Sequence, residues 1–285
     1  MKISIGTNYF GKNERQDIAR QTHSIIQKKH SNVKMYNIQF EDETESYNSD
    51  SSIENLHTFK RSSKDILPDY DKKLPFVKDA FDILATTECD AFVYINSDIF
   101  LTDRLVKYIS ETKDLQATTS QRLDIKPLAS LNESIFAERF EIAGFDTFIF
   151  NKEWYLKHSS LFEDFLLGKV YFDHAYALII KVFGGNHKIL NYLPNHTAHI
   201  YHGQQSHLDD DGNFHNKRIY ENSLFKNLFY IWDDYFRNLL LKRQPMGRFL
   251  NMLDNEINVE KEYFETYINK EKEEIERIKS ILKIQ

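Results

Sequence analysis

Asn96-Ser97-Asp98 follows directly on five apolar or aromatic residues, Ala91-Phe92-Val93-Tyr94-Ile95. An unbroken run of that kind predicts a strand buried on both faces, as in a parallel sheet. Ligands of open α/β sheets bind at the carboxyl ends of the strands. An amide, a hydroxyl and a carboxylate placed there are suited to a polar ligand or a cation. Helix capping is the competing use of such residues. However, Ile99, Phe100 and Leu101 separate Asp98 from the helix start at Asp103-Arg104-Leu105-Val106, and Thr102 is the better cap.

A second concentration of chemistry lies downstream. His196, His199, His202 and His207 place four of the 11 histidines within twelve residues. Imidazoles three apart can ligate a metal from a helical turn, and single ones can do so from a loop. There is no H-E-x-x-H, and the single cysteine, Cys89, is remote in sequence, so a zinc site is not indicated. Asp209-Asp210-Asp211-Gly212 lacks the spacing and the distal Glu of a calcium loop and reads as a solvated turn.

Three further acids and an arginine complete the candidates. Gln121-Arg122-Leu123-Asp124 is either a surface ion pair of small energetic worth or an arginine fork aimed at a phosphate or sugar. In Gly144-Phe145-Asp146-Thr147-Phe148-Ile149-Phe150, Asp146 is a turn residue or an acid facing a ligand. Asp173 opens an apolar helix over 175–183 that Gly184-Gly185 closes. There it is a first-turn acid complementing the helix dipole, or a carboxylate able to take a proton from an acceptor hydroxyl.

The elements that must position these residues are readable from periodicity. Residues 2–7 form a strand, 8–13 a polar loop, and 14–29 a helix with Ile18, Ala19, Ile25 and Ile26 on its apolar face. Residues 33–40 form the next strand, giving a βαβ unit. No G-x-G-x-x-G follows the first strand, so a dinucleotide cradle is not supported. Residues 41–63 are polar and read as a long loop; 74–87 and 104–111 read as helices, 115–119 as a strand, and 152–158 and 161–167 as short helices. A leucine-rich helix over 224–241 and the breaker Pro245-Met246-Gly247 follow. In the last helix, Phe264, Ile268, Ile275, Ile278 and Leu282 step like a coiled-coil seam. These readings divide the chain into an α/β domain over 1–215 and a helical extension over 216–285, with a long helix across 248–285.

Composition excludes several classes. The 285 residues are 41% hydrophobic and 14% aromatic, which is the make-up of a folded chain with a large core. Net charge is -6, and no stretch combines dense Lys/Arg with periodic aromatics, so a nucleic acid polymer is not the expected partner. One cysteine rules out an internal disulfide framework and fits a reducing compartment. Residues 1–7 alternate like a strand and lack a signal-peptide core, and no window carries the roughly 18 apolar residues of a membrane span. A cytoplasmic protein is expected.

The N-terminal βαβ unit, the strand ending in Asn-Ser-Asp, Arg-x-Asp after the next strand, Gly-Phe-Asp-Thr-Phe-Ile-Phe, the helix opened by Asp and the His-x-x-His together resemble a bacterial GT-A fold glycosyltransferase over about residues 1–207. Asn96-Ser97-Asp98 stands where that family has Asp-x-Asp, with Asn in place of the first acid. The resemblance implies a three-layer sandwich around a mostly parallel sheet. It implies a nucleoside-diphosphate-sugar donor, a glycan or lipid-linked acceptor used in surface glycan assembly, and a location in the cytoplasm, including the inner face of the membrane. Carried over, Asp98 binds Mn²⁺ or Mg²⁺, with His202 or His199 completing the site. Asn96 then contacts the ribose or supports the metal ligands, with Ser97 beside it. Thr7 and Asn8 hold the nucleotide, and Arg122, Asp124 and Asp146 lie by the diphosphate or donor sugar. Asp173 activates the acceptor hydroxyl, or positions it if the anomeric configuration is retained. Two other classes stay open on sequence grounds. One is a nucleotidyltransferase sharing the sheet, although Gly6-Thr7-Asn8-Tyr9-Phe10-Gly11 is unlike its Gly-rich loop. The other is a non-catalytic interaction protein, or homo-oligomer, acting through the C-terminal helix.

Overall fold

The computed structural model describes residues 1–10, 14–43, 52–125, 137–185, 196–200, 210–235 and 261–283. The chain divides into two units, Met1–Ile219 and Tyr220–Gln285. The first contains β1 (Ile3–Thr7), α1 (Glu14–Lys29), β2 (Val33–Phe40), β3 (Glu54–Phe59), α2 (Val77–Thr86), β4 (Ala91–Ile95), β5 (Ile99–Leu101), α3 (Asp103–Glu111), β6 (Ala117–Ile125), β7 (Ala137–Asn151), α4 (Lys152–His158), α5 (Phe172–Phe183) and β8 (Thr197–Ile200). Helix α6 (Asp211–Asn222) spans the division, and α7 (Lys226–Tyr235) and α8 (Lys261–Ile281) belong to the second unit.

One mixed sheet organises the first unit, in the order β3-β2-β1-β4-β7-β6-β8-β5. β1 pairs in parallel with β2 and β4, β2 with β3, and β6 with β8; β7 runs antiparallel to β4 and β6, and β5 antiparallel to β8. The α/β class expected from the sequence is therefore the one observed.

Strand β4 shows why three layers form. Its residues alternate between two buried faces. Ala91, Val93 and Ile95 join Ile3, Ile5, Ile26 of α1 and Leu105, Val106 and Ile109 of α3 in one aliphatic core. Phe92 packs edge-on against Tyr155 and beside Phe150, and Tyr94 stands 5.6 Å from the Phe81 ring of α2. Phe81 is the hub of this second, aromatic core, with Phe148, Phe150, Tyr155, Phe162 and Tyr176 around it at 5.0–6.0 Å between centroids. These rings are structural. Gly6 lets α2 approach β1, because a Cβ there would stand 2.6 Å from Leu84 Cδ2.

Several expectations are corrected. β3 arises inside the stretch read as a polar loop, pairing Tyr36 through Phe40 of β2. Residues 99–101, to which the sequence reading gave no element, form a strand antiparallel to β8. Only Ser159–Leu161 forms a helical turn where 161–167 was expected to be helical. Asp211 and Gly212, read as part of a solvated turn, open helix α6, and Asp210 before them accepts from the Asn213 backbone at 2.9 Å and pairs with Lys169; Asp209 lies outside the described residues. In α1, Ile25 is 61% exposed while Gln16, Arg20, His23 and Ser24 are buried. Within the second unit the buried line of α8 is Tyr267, Glu274 and Ile278, with Ile268 and Ile275 half-buried beside it.

Candidate functional site

The polar residues converge at one edge of the sheet, where β1, β4 and β6 end, β7 enters and the first turn of α5 approaches. Asn96 continues the β4–β7 ladder by one residue: its N–H donates to the Asp146 carbonyl at 3.1 Å, and its Nδ2 donates to Asp146 Oδ1 at 2.5 Å. Asp146 Oδ2 accepts from Arg122 NH1, also at 2.5 Å. The ladder explains how this chain forms. Pairing between β6 and β7 jumps from Ser120↔Thr147 to Gln121↔Phe145 and then to Leu123↔Phe140, leaving Asp146 and Arg122 as bulged residues on adjacent strands. Bulges re-aim side chains. Here they bring an acid and a guanidinium together at the sheet edge, and Arg122 pairs with Asp146.

Asp98 lies beyond the turn closed by the Ile99 N–H to Asn96 carbonyl bond of 3.2 Å. Its Oδ2 stands 3.3 Å from His199 Nε2, with side-chain exposures of 27% and 4%. Backbone pairing enforces this contact, because His199 in β8 is the register partner of Ile99. Burial alone pushes the Asp98 carboxyl up. The His199 imidazole beside it and the charges of Arg15 and Arg122 outweigh that effect and hold it below the usual range. It is an anion at neutral pH. Tyr94 lies beneath, its hydroxyl kept neutral by burial and by the fields of Asp146 and Asp98.

Helix α5 delivers Asp173 to the same edge. Its Oδ1 stands 3.2 Å from His174 Nδ1, and the backbone of Phe145, next to Asp146, also hydrogen-bonds it. Burial raises its pKa, but His174 and these backbone donors lower it further, so this carboxylate too is ionised. Tyr171, which precedes the helix, adopts φ 82°, a strained backbone for a bulky residue.

At the end of β1, Thr7 is fully buried with no partner for its hydroxyl, and Asn8 donates from Nδ2 to the Ile38 carbonyl at 2.7 Å. Asn37 of β2 accepts from the Tyr9 N–H at 2.9 Å and donates to Asn55 at 3.0 Å. Ser97 is 7% exposed. Asp124 is the register partner of His199 on the β6 side; its side chain, and all of His202 and His207, lie outside the described residues.

Sequence reading missed Arg15 and the Tyr9–His23 pair. Arg15 is on the first turn of α1, and its NH1 is buried without a partner. Among the described residues no group of three or more His, Cys, Asp or Glu could hold a metal ion. No described helix is long and apolar enough to cross a membrane.

Neither a scan against protein-family models nor a search of curated proteins finds a match. The chain does overlap solved structures. One is TarS of S. aureus in complex with UDP-GlcNAc, at 11% identity and TM-score 0.47, covering 88% of this chain and 79% of that one. Another is the M. tuberculosis glucosyl-3-phosphoglycerate synthase, at 14% identity and TM-score 0.42, with 78% and 80% covered. A third is a 4-diphosphocytidyl-2C-methyl-D-erythritol synthase from Anaerococcus prevotii, at 12% identity and TM-score 0.37, with 76% and 98% covered.

Proposed function

We propose that the chain is a metal-dependent glycosyltransferase that moves a sugar from a nucleoside-diphosphate sugar to a hydroxyl acceptor. The observation that carries this reading is the pair of half-buried Asp98 and buried His199 at the carboxyl end of the central strand, with the Asn96–Asp146–Arg122 chain one turn away. A carboxylate oxygen and an imidazole nitrogen 3.3 Å apart are a donor set that suits Mn²⁺, and also Mg²⁺. The remaining ligands would come from the donor's phosphates. When bound, the ion neutralises charge that develops on the departing diphosphate.

The protein's own groups do the rest. Arg122 and Arg15 supply guanidinium donors for phosphate or sugar oxygens. Asn96 holds Asp146 in place and contacts the ribose or supports the metal ligands. The β1 loop, through Thr7, Asn8 and Tyr9, borders the nucleotide. Asp173, ionised at neutral pH, accepts the proton of the acceptor hydroxyl or orients it. The acceptor class follows the sequence resemblance: a glycan or lipid-linked hydroxyl in surface glycan assembly, reached from the cytoplasm.

Thermal shifts with UDP, GDP, CDP and ADP, each with and without Mn²⁺, test the reading on wild type and Asp98→Ala. A ligand bound only by the native state at a hundredfold its Kd stabilises by about 2.7 kcal/mol. We expect a Mn²⁺-dependent shift with one base, lost in Asp98→Ala. Absence of any shift in wild type overturns the reading.

A further inference from the structure

Helix α1 buries a histidine that the chemistry above does not use. His23 is 0% exposed, its Nδ1 lies 2.5 Å from the Tyr9 hydroxyl, and its Nε2 lies 2.7 Å from the Ile99 carbonyl. A carbonyl only accepts, so Nε2 carries the hydrogen, and Nδ1 accepts from the Tyr9 hydroxyl. Both ring nitrogens are used and the tautomer is fixed by its neighbours. Arg20, 5.1 Å from the Tyr9 ring centroid, covers the other side of the pair.

The two partners decide what this histidine does. Tyr9 follows Asn8, and its backbone is tied to Asn37 of β2. Ile99 follows Asp98, closes the Asn96 turn and is the register partner of His199. A core histidine satisfied by arbitrary carbonyls would be packing alone. This one spans from the loop at the end of β1 to the turn that presents the acid. We propose that His23 is a positioning residue that locks the nucleotide loop to the Asp98 turn, so that occupancy of one favours the other.

The inference rests on the donor-site reading above and specifies how its two halves are coupled. Removing the imidazole takes a hydrogen bond from a buried carbonyl and another from a buried hydroxyl, which relaxes both segments. His23→Gln keeps a donor toward the Ile99 carbonyl, whereas His23→Phe keeps none. Tyr9→Phe removes only the hydroxyl.

The test is calorimetric titration of the nucleoside diphosphate that binds wild type, with and without Mn²⁺, on wild type, His23→Phe, His23→Gln and Tyr9→Phe, each checked for folding by circular dichroism. The readout is the factor by which Mn²⁺ tightens binding, a coupling that a merely structural role does not move in folded protein. We expect a factor of roughly ten or more in wild type, within the range of typical site couplings. It should collapse toward one in His23→Phe, fall partly in Tyr9→Phe and recover in His23→Gln. An unchanged factor in His23→Phe or Tyr9→Phe overturns the positioning role alone, and if His23→Phe does not fold, Tyr9→Phe decides. No Mn²⁺-dependent binding in wild type overturns the donor-site reading, and this inference with it.

Discussion

Asn96 and Asp146 face each other across β4 and β7 and are joined twice, backbone to backbone at 3.1 Å and side chain to side chain at 2.5 Å. The second bond needs a donor at position 96, because Asp146 is an acceptor whose other oxygen already serves Arg122. Asn is therefore a working part of this edge. Asn96→Asp puts two carboxylates side by side, and one of them must take a proton or repel the other. That pKa rises in the folded state, so the variant's deficit is absent at low pH and grows as pH rises through neutrality. The expected outcome is a variant within about 0.5 kcal/mol of wild type near pH 4 and about 1–3 kcal/mol less stable at pH 8, the cost of an unpaired buried group. Urea melts at the two pH values check it. Equal deficits at both mean that repulsion is not the cause.

Arg15 gives a prediction of opposite character. Its buried NH1 has no protein partner, so removing the guanidinium breaks no bond at that atom. If it serves a phosphate, Arg15→Ala should weaken nucleoside diphosphate binding about tenfold or more, the worth of a charge-assisted hydrogen bond of roughly 1.5–3 kcal/mol. The midpoint of the unliganded protein should stay within a degree or two. Titration and a melt on the same preparation separate the two effects.

The sequence made the sheet edge legible at Asn96-Ser97-Asp98, because an apolar strand ending in polar residues is a local pattern. Asp173 was legible for the same reason. The Asp146–Arg122 pair was not, since it depends on two bulges in neighbouring strands, and register is a tertiary property. His199 was visible only as one of a cluster. What singles it out is its position opposite Ile99 in β5, a strand the sequence reading did not assign. α1 was read by its isoleucines, yet much of its buried face is polar. An amphipathic pattern cannot distinguish a buried His23 from an exposed one.

Phe81 tests the aromatic core. It contacts six other rings and is 0% exposed. Phe81→Ala leaves a ring-sized void between α2 and the sheet and should cost about 3–5 kcal/mol. Phe81→Leu, which refills most of that space, should cost distinctly less. Denaturant midpoints at constant slope give both numbers, and equal losses mean the core collapses around either residue.

The last prediction concerns acid stability. Burial, together with the nearby Arg20 charge, lowers the His23 pKa from its ordinary 6.5 to about 4, against the opposing pull of the Ile99 carbonyl. Its folded pKa lies below its unfolded one. Between those values the unfolded chain binds a proton that the native state refuses. The stability linked to this residue is therefore full above pH 6.5, is lost as pH falls toward 4, and changes no further below that. The shift corresponds to about 3 kcal/mol. Glu163 acts in the other direction: burial raises its carboxyl to about 7, so its contribution falls as pH climbs from 4.5 to 7. A plain stability curve mixes the two. The difference between wild type and His23→Gln isolates the histidine, because Glu163 is common to both. That difference should narrow by about 3 kcal/mol between pH 7 and pH 4. A gap that stays constant over this range would show that His23 titrates in the native state as it does in the unfolded chain.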